Sequence, residues 1–132
     1  MEYTLLPLKQ AELFVPMGMG MMMGDMTQWV NAPVYVWYVK GAKRKIVVDA
    51  GVGTSAGEFG VVGGGEEGLR RTLHSVGVSP EEVEVLVLTH LHFDHVGCAR
   101  LFKKARIYVQ RRNGRPPSPP FLPFAPSTTG PC

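Results

Sequence analysis

Val83-Glu84-Val85-Leu86-Val87-Leu88-Thr89-His90-Leu91-His92-Phe93-Asp94-His95 is the stretch on which the reading of this 132-residue chain turns. Its first half, Val83 to Thr89, reads as a strand. Val85 to Leu88 are continuously apolar, which predicts burial on both faces of a sheet. Its second half gathers three histidines and an aspartate in six residues. Imidazole and carboxylate suit zinc and similar divalent ions. His90 and His92 are two apart, so an extended chain sends both side chains from one face, where they can reach one ion together. Asp94 and His95 are adjacent, so a turn must aim them, at a second ion or at a water beside the first. Ligands at the carboxyl end of a buried strand sit where open α/β sheets place their sites, on a rigid base. The fourth histidine, His74, stands alone in a helical stretch and reads as a surface residue. Cys98 reads as a small buried residue of the helix after the cluster.

Working outward, Val34 to Lys40 and Lys45 to Asp49 are β-branched and aromatic, and the turn-like Gly41-Ala42-Lys43-Arg44 between them predicts a hairpin. Residues 50–65 are glycine-rich and read as a loop without a phosphate-binding Gly-Lys-Ser/Thr sequence. Leu69, Leu73 and Val76 recur at helical spacing over 66–76, with Gly77 as the stop. Ser79-Pro80-Glu81-Glu82 has the form of a capping box. Residues 96–104 predict a helix and Ala105 to Gln110 a strand. Residues 1–26 show little pattern and read as a lead-in, with a methionine-rich loop at 17–24 that covers part of the core or lines an apolar groove. The order is that of an α/β protein with helices packed on a sheet.

Composition bounds the rest. Hydrophobic residues make up 45% and charged residues 19% of the chain, as in a soluble globular protein of one domain. Residues 1–99 carry seven Lys/Arg against eleven Asp/Glu, net −4, and residues 100–132 carry seven Lys/Arg and no acid, net +7. The basic balance is therefore a property of one end. No basic stripe on a folded face is predicted, and nucleic acid is not an expected partner. Two cysteines make no disulfide framework, no secretory leader or membrane-length apolar run is present, and the cytoplasm is the expected compartment. Seven of the eleven prolines lie in 113–132. The expected division is a folded unit over 1–112 and a proline-rich disordered tail over 113–132.

Thr89-His90-Leu91-His92-Phe93-Asp94-His95-Val96-Gly97 resembles the His-x-His-x-Asp-His signature of the metallo-β-lactamase superfamily. Val47-Val48-Asp49-Ala50-Gly51 resembles that family's first motif, a strand ending in Asp followed by Gly. Within the superfamily the chain looks most like the N-acyl-homoserine-lactone lactonases, over roughly residues 30–112. The resemblance implies the N-terminal half of an αββα sandwich. It implies one or two zinc ions, with His90 and His92 on the first, Asp94 and His95 on the second, and Asp49 supporting the ligand loop. It further implies hydrolysis of a small-molecule ester or lactone by metal-activated hydroxide, with Asp94 orienting the nucleophile and passing its proton to the leaving group. The family draws another His, a bridging Asp and a final His from its second half, whereas this sequence has no His or Asp after His95. The expectation is a C-terminally truncated or frame-shifted family member with impaired turnover. Such a half-sandwich would leave one sheet face apolar, which a homo-oligomer could cover. A non-catalytic metal-binding fragment, and a thioesterase of the hydroxyacylglutathione hydrolase type, are the competing functions.

Overall fold

β-Branched and aromatic runs, punctuated by glycine, set the elements of the computed structural model, which describes residues 2–20 and 24–110. In chain order they are β1 (Thr4–Pro16), α1 (Met17–Gly20), β2 (Trp29–Lys40), β3 (Ile46–Val48), β4 (Gly60–Gly63), α2 (Gly65–His74), β5 (Val85–Leu88), α3 (Phe93–Val96) and β6 (Arg106–Val109). Turns of 3-10 helix lie at Pro80–Glu82 and Ala99–Leu101. The strands form one six-stranded sheet in the order β4-β1-β2-β3-β5-β6. β2 pairs antiparallel with β1 and β3, and β1 with β4, while β3-β5 and β5-β6 are parallel. The expected α/β class, hairpin and buried strand are all present. The parallel β3-β5 pair is the feature that positions the site, because it sets the carboxyl ends of two strands side by side.

Three local expectations are corrected. Residues 1–26 are not an unpatterned lead-in: they hold β1, the longest strand. Leu6 and Leu8 lie on the same side of the sheet as the buried Ala11, Leu13 and Val15, so the inward parity switches from even to odd. The register shift between Lys9 and Ala11 is the cause, since one extra residue reverses the face of everything after it. Residues 50–65 are not all loop, because Gly60–Gly63 adds to the sheet edge as β4. A glycine-rich strand carries no β-propensity signal. The single helix expected over 96–104 is instead α3, which starts inside the His-Asp cluster, followed by a 3-10 turn. His74 is exposed, and Cys98 is buried at the cap of that turn. The expected domain boundary after 112 and the proline-rich tail lie outside the described residues.

One sheet face is covered. Val36, Val47 and Leu86 from three adjacent strands pack with Leu69 and Leu73 of α2 and with Leu101 and Phe102 beyond α3. Each such side chain contributes on the order of 1.5–3 kcal/mol by leaving water. The capping box at Ser79–Glu82 forms as expected, and its Lys45 ion pair holds the Glu82 carboxyl down at about 2. The opposite face follows from the register. Leu5, Val39 and Ile46 line one row, and Pro7, Trp37, Val48, Val87 and Tyr108 the next. Leu5, Tyr35, Trp37 and Tyr108 there are exposed. No helix among the described residues is long and apolar enough to cross a membrane.

Candidate metal centre

Asp49 and Thr89 close the carboxyl ends of β3 and β5. The Asp49 amide continues the ladder by donating to the Val87 carbonyl at 2.8 Å. Asp49 then takes a left-handed backbone, φ 63, a conformation that Asp and Asn tolerate better than other side chains. Its buried carboxylate accepts the Thr89 amide at 2.9 Å and lies within 2.9–3.0 Å of the Thr89 hydroxyl through both oxygens. The two strand ends are thereby locked together at the point where the histidine cluster begins.

At Thr89 the chain bends out of β5; His92 is extended, at φ −72 and ψ 153, and the chain then coils into α3. That turn aims Asp94 and His95. The Thr89 hydroxyl lies 3.1 Å from His90 Nδ1. The His90 ring sits edge-on to His92 at 4.5 Å between centroids and 4.0 Å from His95. His95 Nδ1 meets Asp49 Oδ2 at 2.8 Å, and His95 Nε2 lies 3.4 Å from Asp94 Oδ2. All four cluster residues are thus brought together, with Asp49 behind them. An ionised carboxylate only accepts, so Asp49 requires the proton on Nδ1 and turns Nε2 toward Asp94.

The charges follow from these contacts. Hydrogen bonds to Asp49 and then Asp94 raise the His95 imidazolium to about 9. Burial pushes the Asp49 carboxyl up, but the bonds from His95 and Thr89 outweigh it and hold it below the ordinary range. Asp94 behaves likewise through His95. Burial, then the neighbouring imidazoles, lowers His90.

The donor set is that of a divalent metal, and one pair in it has metal-ligand spacing. Two tetrahedral ligands at about 2.0–2.1 Å from zinc stand about 3.4 Å apart, which is the separation of His95 Nε2 from Asp94 Oδ2. Among the described residues no three of His, Cys, Asp and Glu converge on a single ion position. The residues therefore fit zinc in chemistry and, for one pair, in spacing. His95 holds a proton where an ion would sit, and uptake of metal must release it.

An aromatic wall leads to this cluster. Phe14 and Trp29 pack at 5.2 Å, Trp29 and Phe59 at 6.4 Å, and Phe59 stacks on Phe93 at 6.3 Å. Phe93 lies between His92 and Asp94, and Phe14 and Trp29 are half-exposed. The end of β1 and the start of β2 lie at the same end of the sheet as the carboxyl ends of β3 and β5, by the strand directions. Sequence reasoning picked none of Phe14, Trp29 and Phe59. The only signal was aromatic residues at strand ends, which acquires meaning once the pairing is known.

Residues 30–122 match the family described as Metallo-beta-lactamase superfamily. The N-acyl homoserine lactonase AiiB of Agrobacterium fabrum is 41% identical over 46 residues, covering 35% of this chain and 17% of that protein. The N-acyl homoserine lactonase of Bacillus thuringiensis is 30% identical over 95 residues, 62% of this chain and 38% of that protein. A crystal structure of B. thuringiensis AiiA, a single-residue mutant with N-decanoyl-L-homoserine at its active site, shares the fold at a TM-score of 0.70 and 23% identity, over 83% of this chain and 49% of that one. A quorum-quenching N-acyl homoserine lactone hydrolase aligns at a TM-score of 0.69 and 25% identity, over 83% of this chain and 46% of that one. The chain spans about half the length of these solved relatives, and the curated relatives are matched over less than that.

Proposed function

The chain belongs to the metallo-beta-lactamase superfamily, and from that premise we propose that it is the metal-binding half of a zinc-dependent hydrolase acting on ester or lactone bonds of acylated small molecules. The observation that carries the reading is the joining of two unlike surfaces at one sheet end: a His-Asp cluster braced by Asp49 and the aromatic wall Phe14-Trp29-Phe59-Phe93. The first suits a polar reaction centre and the second an apolar acyl group, and Phe93 belongs to both. The relatives, named as N-acyl homoserine lactonases, carry substrates of that make-up in their names.

In this reading His90 and His92 would hold one zinc ion and Asp94 and His95 a second. The chemistry such an ion would supply when bound is hydroxide at neutral pH, by lowering the pKa of water towards about 7. Asp49 fixes the tautomer of His95 and joins the ligand loop to β3 through Thr89. Asp94 would take the proton of the nucleophile through the carboxylate oxygen not engaged by metal and deliver it to the leaving alkoxide. The wall excludes water from the acyl side. The test is the purified 132-residue chain, loaded with zinc, against an acylated homoserine lactone, a thioester and a phosphodiester. Lactone hydrolysis that disappears in His92→Ala supports the proposal. Zinc uptake with no turnover on any of the three makes the chain a metal-binding fragment, and a preference for the thioester moves the substrate class.

The partner of the apolar outer face is, in the same proposal, a second copy of this chain. Aromatic and leucine side chains at such exposures present roughly 100 Å² each. The four exposed on this face come to about 400 Å², half of the ~800 Å² per partner of a standard interface, and the flanking Pro7, Val39 and Val48 extend the patch. Trp37→Lys is expected to shift the chain toward monomer in sedimentation velocity. A wild-type chain that stays monomeric at the highest concentrations reached would rule the dimer out.

A further inference from the structure

Gln10 is the residue that the β1 bulge inserts. Lys9 pairs with Tyr35 and Ala11 with Val34, so Gln10 stands outside the ladder. A bulge re-aims its side chain, and here a polar side chain points inward and is only 5% exposed. A buried amide is costly unless its hydrogen bonds are made, and those of the Gln10 side chain go to Val52 and to Gly65, the first residue of α2. Nε2 donates to the Val52 carbonyl at 3.0 Å and to the Gly65 carbonyl at 3.4 Å, and Oε1 accepts the Val52 amide at 3.1 Å. The Gly51–Gly53 segment is thus held by this side chain together with the Gly65 amide, which donates to the Val52 carbonyl at 2.9 Å, and the Cys98 thiol at 3.5 Å; the Val52 amide is the group that Gln10 takes up through Oε1. Fit is tight: a Cβ on Gly51 would lie 2.5 Å from Gln10 Oε1.

The same segment carries the metal cluster from above. The Ala50 amide donates to the His95 carbonyl at 2.7 Å, the Gly97 amide to the Gly51 carbonyl at 2.8 Å, and the Cys98 amide to the Ala50 carbonyl at 3.3 Å. A Cβ on Gly97 would stand 2.4 Å from the Gly53 nitrogen, so α3 rests directly on the segment. Asp49, the partner of His95 Nδ1, is the residue immediately before it.

We infer that Gln10 is a positioning residue for the metal site: through Val52 it sets the height of the Ala50–Gly53 segment, and through that segment the placement of Asp49, Asp94 and His95. It touches no ligand itself. The inference deepens the zinc-hydrolase reading and rests on it for its metal-binding consequence, while its structural content stands on the hydrogen bonds alone.

The experiment compares the full chain with Gln10→Leu, which keeps the volume and removes the amide, and with Val83→Ala, which weakens the core without touching a hydrogen bond of the segment. Amide hydrogen exchange of the metal-free proteins and zinc titration are both measured. For Gln10→Leu the Ala50 and Gly97 amides are expected to exchange about tenfold faster relative to those of β5, and zinc affinity to fall by about tenfold. Val83→Ala is expected to keep zinc affinity within about twofold, because the second shell is intact. Exchange that rises uniformly in Gln10→Leu, or equal affinity losses in the two variants, overturns the inference. If the wild-type chain takes up no zinc, the metal reading fails, and exchange at Ala50 and Gly97 alone decides the role of Gln10.

Discussion

Asp49→Asn is expected to lower zinc affinity by about 10–100-fold and, although it loses the His95 ion pair, to cost less fold stability than Asp49→Ala. The amide keeps the size of the carboxylate, tolerates the left-handed backbone at φ 63, and can still accept from Thr89. It presents an NH₂ where His95 Nδ1 met Oδ2 at 2.8 Å. A donor there forces the imidazole proton onto Nε2, the nitrogen 3.4 Å from Asp94 Oδ2, and closes it to metal. Asp49→Ala would lose affinity and stability together, since Thr89 loses its acceptor and Ala pays for the backbone conformation. Calorimetric zinc titration beside urea unfolding separates the two variants. Parental affinity in Asp49→Asn would mean that the carboxylate charge plays no part in preparing the site.

His95→Ala should have the larger effect, a loss of zinc affinity of more than about 100-fold, because it removes a ligand rather than its support. Metal content per chain after dialysis checks it, with His74→Ala, an exposed histidine outside the cluster, as the unaffected control. Zinc retained by His95→Ala would remove this residue from the ligand set. The substitution also strips Asp49, whose side chain is 4% exposed, of its charge partner. Removing one member of a fully buried pair costs about 3–5 kcal/mol; with the imidazole 27% exposed, about 2–3 kcal/mol is expected. In metal-free protein this cost has a definite pH window. His95 is raised from 6.5 to about 9 in the folded state, so its contribution is fully present below 6.5 and is lost as the pH rises through 9. The stability gap between wild type and His95→Ala should therefore hold from above the carboxylate range up to 6.5, close between 6.5 and 9, and shrink again where acid protonates Asp49.

The cluster was legible because its chemistry is local. His90, His92, Asp94 and His95 fall in one short window after an apolar run, and neither spacing nor residue type needs a fold to be read. The hairpin, α2 and β5 were legible for the same reason, each carrying its period or propensity within a few residues. β1 was not, because its bulge reverses the inward parity midway and cancels the alternation that marks a strand. β4 was not, because three of its neighbours in sequence and half its own residues are glycine or polar and its only reason to be extended is the Ala11–Phe14 edge it pairs with.

The sequence by itself determined the lineage and the residue types of the candidate site: a buried strand, the His-Asp cluster after it and the aspartate of an upstream motif. Only the tertiary structure decided what those donors do to one another. The parallel pairing of β3 with β5 brings Asp49 to His95 across 46 positions and fixes which imidazole nitrogen faces Asp94. The bulge turns Gln10 beneath the segment that carries them. The physical reason is the same in both cases. Hydrogen-bond partners far apart in the chain are chosen by strand register, and register is a property of the assembled sheet that no local window contains.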